Sequence, residues 1–170
     1  MSQEQETSGK GTRGTRRGRR LPTRAQLTVW RDYIETSEQI RSRLGSRMQS
    51  DSNLSLGDYQ VLLVLSEADG ERLRSSELAA KVGWERSRLS HHLGRMEKRG
   101  LISREACPDD SRGSFVVLSD EGRASFRSGS ISHLQSVQDL FFEALTQEQL
   151  ESLTAATSAL RVHLNSLGDY

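Results

Sequence analysis

With 170 residues, 34% of them apolar, and a formal charge of +1, the chain is sized for one domain with an appendage. Its single cysteine, Cys107, excludes an intramolecular disulfide framework and a multi-cysteine zinc site. The longest apolar run, residues 61–65, is far too short to cross a membrane, and no apolar stretch of a secretory leader follows the basic start, so a soluble cytoplasmic protein is expected.

The charge is uneven along the chain. Lys10, Arg13, Arg16, Arg17, Arg19, Arg20 and Arg24 occur with no acid among them, which leaves everything outside that stretch at −6. Met1 and Leu21 are the only apolar residues before position 25, too few to bury, and residues 1–22 are expected to form a disordered basic arm. Two uses fit such an arm: a grip on nucleic acid, and plain solubility.

Behind Pro22 and Thr23, which suit a helix start, Leu27, Trp30, Ile34, Ile40, Leu44 and Met48 recur at helical spacing and predict a long helix over about 23–49. Ser50-Asp51-Ser52-Asn53 is expected to break it. Ser55 is placed to cap a second helix carrying Tyr59, Leu62, Leu63 and Leu65 and ending near Ala68-Asp69-Gly70. Ser75 or Ser76 then caps a short helix over 77–82 that stops at Gly83, and another helix runs over about 85–99 and stops at Gly100. Two short helices joined by a glycine-containing turn make a helix-turn-helix. Residues 101–105 and 115–118 follow as strand-like runs around the turn formers of 108–113, and this hairpin completes a winged helix.

Ser119 caps a further helix with Asp120 and Glu121 in its first turn, where the helix dipole favours acids. Thr146 and Gln149 fit a capping box ahead of a last stripe of Leu150, Leu153, Leu160 and Leu164. The expected fold is therefore mainly α with a small β-hairpin wing. A single domain spans 23–170: the winged helix-turn-helix over 55–118, and terminal helices (23–49 and 123–170) whose apolar stripes would bury against a second copy. A homodimer is expected.

On the helix over 85–99, Leu89, Leu93 and Met96 share the face that would bury, which sets Arg86, Ser87, Ser90, His91 and Gly94 on the other side. Such a face suits the major groove, where base edges carry distinguishable donors and acceptors. Arg88, Arg95, Lys98 and Arg99 lie to its flanks, positions suited to phosphates. Asp110-Ser111-Arg112-Gly113 places one guanidinium at the expected hairpin tip, the geometry for entering a narrow minor groove.

Asp110-Ser111-Arg112-Gly113-Ser114-Phe115-Val116-Val117-Leu118-Ser119-Asp120-Glu121-Gly122 resembles the wing signature of the MarR (multiple antibiotic resistance regulator) family, and the run from Leu89 to Ile102 is similar to that family's recognition helix. The resemblance covers about residues 25–165. Ser119 stands where the family usually has Thr, which keeps the capping hydroxyl, and the Arg-rich arm has no common family counterpart. The resemblance implies a transcriptional regulator on double-stranded DNA, with Arg112 in the minor groove and Asp110 orienting it. It also implies a small amphipathic or phenolic effector bound between the dimer helices and the winged helix. Trp30, Tyr33 and Tyr59 could line that cleft, with Arg31 or Arg41 meeting an anion.

His91 and His92 point about a hundred degrees apart on a helix and have no partner ligand at matching spacing, so no metal is expected; His91 is read as facing DNA and His92 as structural. No catalytic constellation and no cofactor motif occurs. A dimeric repressor reading a near-palindrome leads. An architectural DNA-binding protein of low sequence preference, a winged helix kept only for protein contacts, and an oxidation-sensitive Cys107 remain as alternatives.

Overall fold

The computed structural model describes residues 21–107 and 110–168, backbone only for 110–112; the expected basic arm lies outside them except at Leu21 and Pro22. The elements in order are α1 (Arg24–Ser52), α2 (Leu56–Ser66), a 3-10 turn (Asp69–Glu71), β1 (Arg72–Arg74), α3 (Ser75–Val82), α4 (Arg86–Lys98), β2 (Ile102–Cys107), β3 (Asp110–Leu118), α5 (Asp120–Leu140), a second 3-10 turn (Phe142–Ala144) and α6 (Gln147–Leu167). This is the expected winged helix-turn-helix with flanking helices, and its sheet has one strand more than expected.

The chain divides within α1 into a unit ending at Glu35 and a unit beginning at Thr36. In the first, Thr23 and Gln26 cap α1 reciprocally: the Thr23 amide donates to Gln26 Oε1 at 2.8 Å and the Gln26 amide to Thr23 Oγ1 at 3.3 Å. Trp30 and Tyr33 are exposed and pair with each other, ring centroids 6.3 Å apart.

In the second unit α1 runs three residues past the expected position 49. The polar stretch does not break it because the helix absorbs those groups. The Ser52 hydroxyl donates to the Met48 carbonyl (2.8 Å) and Gln49 Nε2 to Asn53 Oδ1 (2.7 Å), and the chain leaves the helix at Asn53 with φ of 55°. Ser55 caps α2 as expected, in a box with Asp58. α2 ends at Ser66, before the expected 68–70, because residues 69–71 form a 3-10 turn that feeds β1.

β1 pairs with β3 through Arg72↔Val117, Leu73↔Val116 and Arg74↔Phe115, so the antiparallel order is β1-β3-β2. Arg-Leu-Arg is too short to show alternation, and this strand was not expected. Since β1 runs straight into α3, the helix begins at Ser75 and its cap is Arg74, correcting the expected Ser75 or Ser76; the Arg74 amide donates to Glu77 (3.2 Å). The Ser75 hydroxyl instead donates to the Ser114 carbonyl (3.0 Å), fastening α3 to β3.

Val61, Leu62 and Leu65 of α2, Leu78 of α3, Leu93 and Met96 of α4 and Val116 of β3 are fully buried in one core. Each such side chain contributes about 1.5–3 kcal/mol, and together they seat α4 against the sheet. The Ser119 hydroxyl accepts from the Gly122 amide (2.9 Å) and donates to the Gly100 carbonyl (2.6 Å), so one side chain both starts α5 and ties it to the turn after α4. Thr146 and Gln149 cap α6 as expected, yet α6 contains no buried residue, and Leu160, Leu164 and Leu167 are about half exposed or more.

Candidate nucleic-acid interface

The orientation of α4 follows from its buried side. Leu89, Leu93 and Met96 are at most 2% exposed, which turns Arg86, Ser87, Ser90 and His91 to the outside, and all four are exposed. Arg104 of β2 reaches the same helix: its Nη2 donates to the Ser90 carbonyl (3.0 Å) and its Nε lies 3.4 Å from Glu97. Gly94 lies under this contact: a Cβ there would stand 3.7 Å from Arg104 Nη2, in ordinary van der Waals contact. A concavity of about 280 Å³ lies beside it, lined among others by Arg74, Ser75, Arg86, Ser90, Arg104 and Ser114. Sequence reasoning missed Arg74 and Arg104, because nothing local marks a strand arginine as facing a helix.

The flank of α4 is tied down. The Arg88 guanidinium sits over the Trp84 ring, 4.5 Å from its centroid, and the His92 ring meets the same indole edge-on at 5.1 Å. His92 Nε2 lies 2.9 Å from Asp58 Oδ1, and Arg95 Nη2 lies 3.0 Å from His92 Nδ1. Arg99 donates to Asp58 Oδ2 at 2.7 Å and also to the Asn53 carbonyl. Arg99 is thereby corrected from a phosphate-facing residue to a structural one. Asp58 is 3% exposed. Burial alone would raise its pKa; the His92 imidazole, the Ser55 amide and Arg99 outweigh it and hold the carboxyl well below the usual carboxylate range. Among the described residues no three His, Cys, Asp or Glu side chains cluster as metal ligands.

The wing differs from the expected turn. Asp110, Ser111, Arg112 and Gly113 belong to β3, with Ala106 paired to Ser114 and Cys107 to Asp110. Three residues of β3, 111–113, thus intervene where β2 has none, a bulge-like shift that carries Arg112 in the strand and not at the tip. The side chains of Asp110 and Arg112 lie outside the described residues. Cys107 is buried, at 5% exposure.

A second, larger concavity of about 720 Å³ is bordered by Arg41, Leu44, Tyr59, Trp84, Arg88, Arg95 and His133, among others. Tyr59, one of the three expected effector contacts, packs there against Phe126 (5.3 Å) and His133 (4.7 Å); Trp30 and Tyr33 form their own pair. Burial pushes the His133 imidazole below its ordinary pKa, and among the described residues its buried Nδ1 has no hydrogen-bond partner. Arg41 is present in this groove, as anion recognition would require.

A helix-turn-helix presenting an exposed polar recognition face, with a three-stranded wing beside it, defines a winged-helix protein. The MarR family profile matches residues 52–113. The chain is 37% identical to Sco3205, a MarR family transcriptional regulator from Streptomyces coelicolor solved in complex with DNA, over 88% of this chain and 92% of that one, with a TM-score of 0.80. AbsC, another MarR family transcriptional regulator from that organism, is 34% identical over 86% and 99% of the two chains, with a TM-score of 0.77. The transcriptional regulator HosA of Escherichia coli O111:H- is 32% identical over 100 residues, 58% of this chain and 71% of its own. The chain belongs to the MarR family of transcriptional regulators.

Proposed function

We propose that the chain is a sequence-specific DNA-binding repressor, working in the cytoplasm as a homodimer and released from a near-palindromic operator by a small amphipathic or phenolic effector. The observation that carries the reading is the outward face of α4, where Arg86, Ser87, Ser90 and His91 are exposed because Leu89, Leu93 and Met96 fix the opposite face in the core. These side chains offer donors and acceptors for base edges, while Arg88 and Arg95 suit the phosphates on either side. That a relative 37% identical has been crystallised on DNA supports the same use here. In this reading Arg112 reaches the minor groove with Asp110 orienting it.

The bare apolar residues of α6 and the exposed Ile131 and Leu134 of α5 supply the surface for a second copy. Two recognition helices then meet half-sites about one helical turn apart. An effector in the groove around Tyr59 and Arg41 acts by preferring a spacing of those helices that the operator does not accept. No described helix is long and apolar enough to cross a membrane.

A mobility shift on the DNA upstream of the chain's own gene, with excess unrelated competitor, tests the reading. A specific complex, favoured by about a thousandfold or more, is expected. A complex erased equally by any DNA would instead identify an architectural protein.

A further inference from the structure

We propose that His92 is a positioning residue for DNA binding: anchored to Asp58, it holds the Arg95 guanidinium, and through their shared neighbour Trp84 the Arg88 guanidinium, ready for the phosphate backbone. The inference rests on the DNA-binding reading above.

The tautomer of His92 follows from its contact with Arg95. A guanidinium can only donate, so Nδ1, 3.0 Å from Arg95 Nη2, accepts and the ring proton sits on Nε2. Nε2 in turn lies 2.9 Å from Asp58 Oδ1, a close polar contact that does not meet hydrogen-bond geometry. Asp58 cannot turn away, because its other oxygen takes the Ser55 amide (2.9 Å) and Arg99 (2.7 Å). A chain of anchors therefore runs from the N-terminus of α2 to the exposed flank of α4.

Trp84 extends the arrangement. Its ring and that of His92 occupy the space that Gly57 leaves open: a Cβ at Gly57 would lie 2.9 Å from Trp84 Cη2 and 3.0 Å from His92 Cε1. On the same indole sits Arg88. The outcome is two arginines seven positions apart, about 10.5 Å along the helix, each held against a partner on the flank. A free arginine loses rotamer freedom when it meets a phosphate; these have already lost part of it. Simple packing would need only an apolar ring at position 92, whereas here Nδ1 accepts from Arg95 and Nε2 is set beside the Asp58 carboxylate, within contact distance though not in hydrogen-bond geometry.

The test is a titration of a fluorescein-labelled mixed-sequence duplex by anisotropy, with melting curves confirming that each full-length variant is folded. His92→Phe should weaken binding about two- to tenfold, and His92→Gln, which keeps a donor and an acceptor, should recover most of the loss. In an Arg95→Ala background, His92→Phe should have a much smaller further effect. If the unaltered protein binds but His92→Phe binds equally well, or weakens the Arg95→Ala protein as much as the parent, His92 is packing alone and the inference is overturned. If the unaltered protein does not bind the duplex at all, the DNA-binding reading falls, and this inference with it.

Discussion

The carbonyl oxygen of Leu101 lies 1.9 Å from where a β-carbon on Gly122 would stand, so α5 passes the root of the wing at a distance that only glycine allows. Gly122→Ala must push α5 away from the Leu101 carbonyl or strain the turn. It should destabilise the fold by about 1–3 kcal/mol, lowering the melting temperature by roughly 2–4 °C for each of those kcal/mol. An unchanged thermal midpoint would show that the approach is looser than described.

Asp58 makes acid sensitivity specific. Its pKa is depressed in the folded state, so its contribution is complete above the unfolded value of about 4 and is lost as pH falls through the folded value. Asp58→Asn keeps the shape but loses the charge that faces His92 and Arg99. The variant should lose stability near pH 7 and lose less than the parent on acidification, as read from urea midpoints along a pH series. Parallel pH profiles for the two proteins would remove Asp58 from the account.

Base reading and backbone contact separate by mutation. Ser87→Ala or His91→Ala should relax preference at one operator position by about 1–3 kcal/mol. Arg88→Ala should weaken all duplexes alike and flatten the salt dependence by about one counterion. Binding measured on a panel of single-base operator variants distinguishes the two patterns. Uniform weakening from Ser87→Ala and His91→Ala would take this face of α4 out of the major groove.

Oligomeric state is testable on α6. Leu160, Leu164 and Leu167 lie three or four residues apart and are 54%, 62% and 49% exposed, one stripe with nothing from the described chain covering it. The double change Leu160→Glu, Leu164→Glu should shift the protein to monomer in sedimentation velocity while far-ultraviolet dichroism stays unchanged. A variant still dimeric would place the interface elsewhere.

Local chemistry made much of this fold legible. Ser55, Ser119 and Thr146 announce their helices because each cap needs only a hydroxyl and an amide two or three residues on. The face of α4 followed from Leu89, Leu93 and Met96 alone. What escaped is non-local. β1 exists because Leu73 finds Val116, and three residues carry no period of their own. α1 runs past its polar stretch because Ser52 satisfies its hydroxyl inside the helix. Asp58 and His92 stand 34 positions apart, and only the packing of α2 on α4 brings the carboxylate to the imidazole. The turn formers around Arg112 suggest a hairpin tip, while the register shift at Ala106 and Cys107 puts it on the strand.

Arg99, at the C-terminal end of α4, bonds the first residue past α1 and the first turn of α2 at once. Were α4 to tilt about that clasp, Arg99 would stay nearly stationary and the opposite end would move most. Ser87 is twelve positions away, about 18 Å, so a tilt of roughly 5° sweeps it by about 1.6 Å. A displacement of half a hydrogen-bond length at Ser87 would thus need only a small rotation about Arg99.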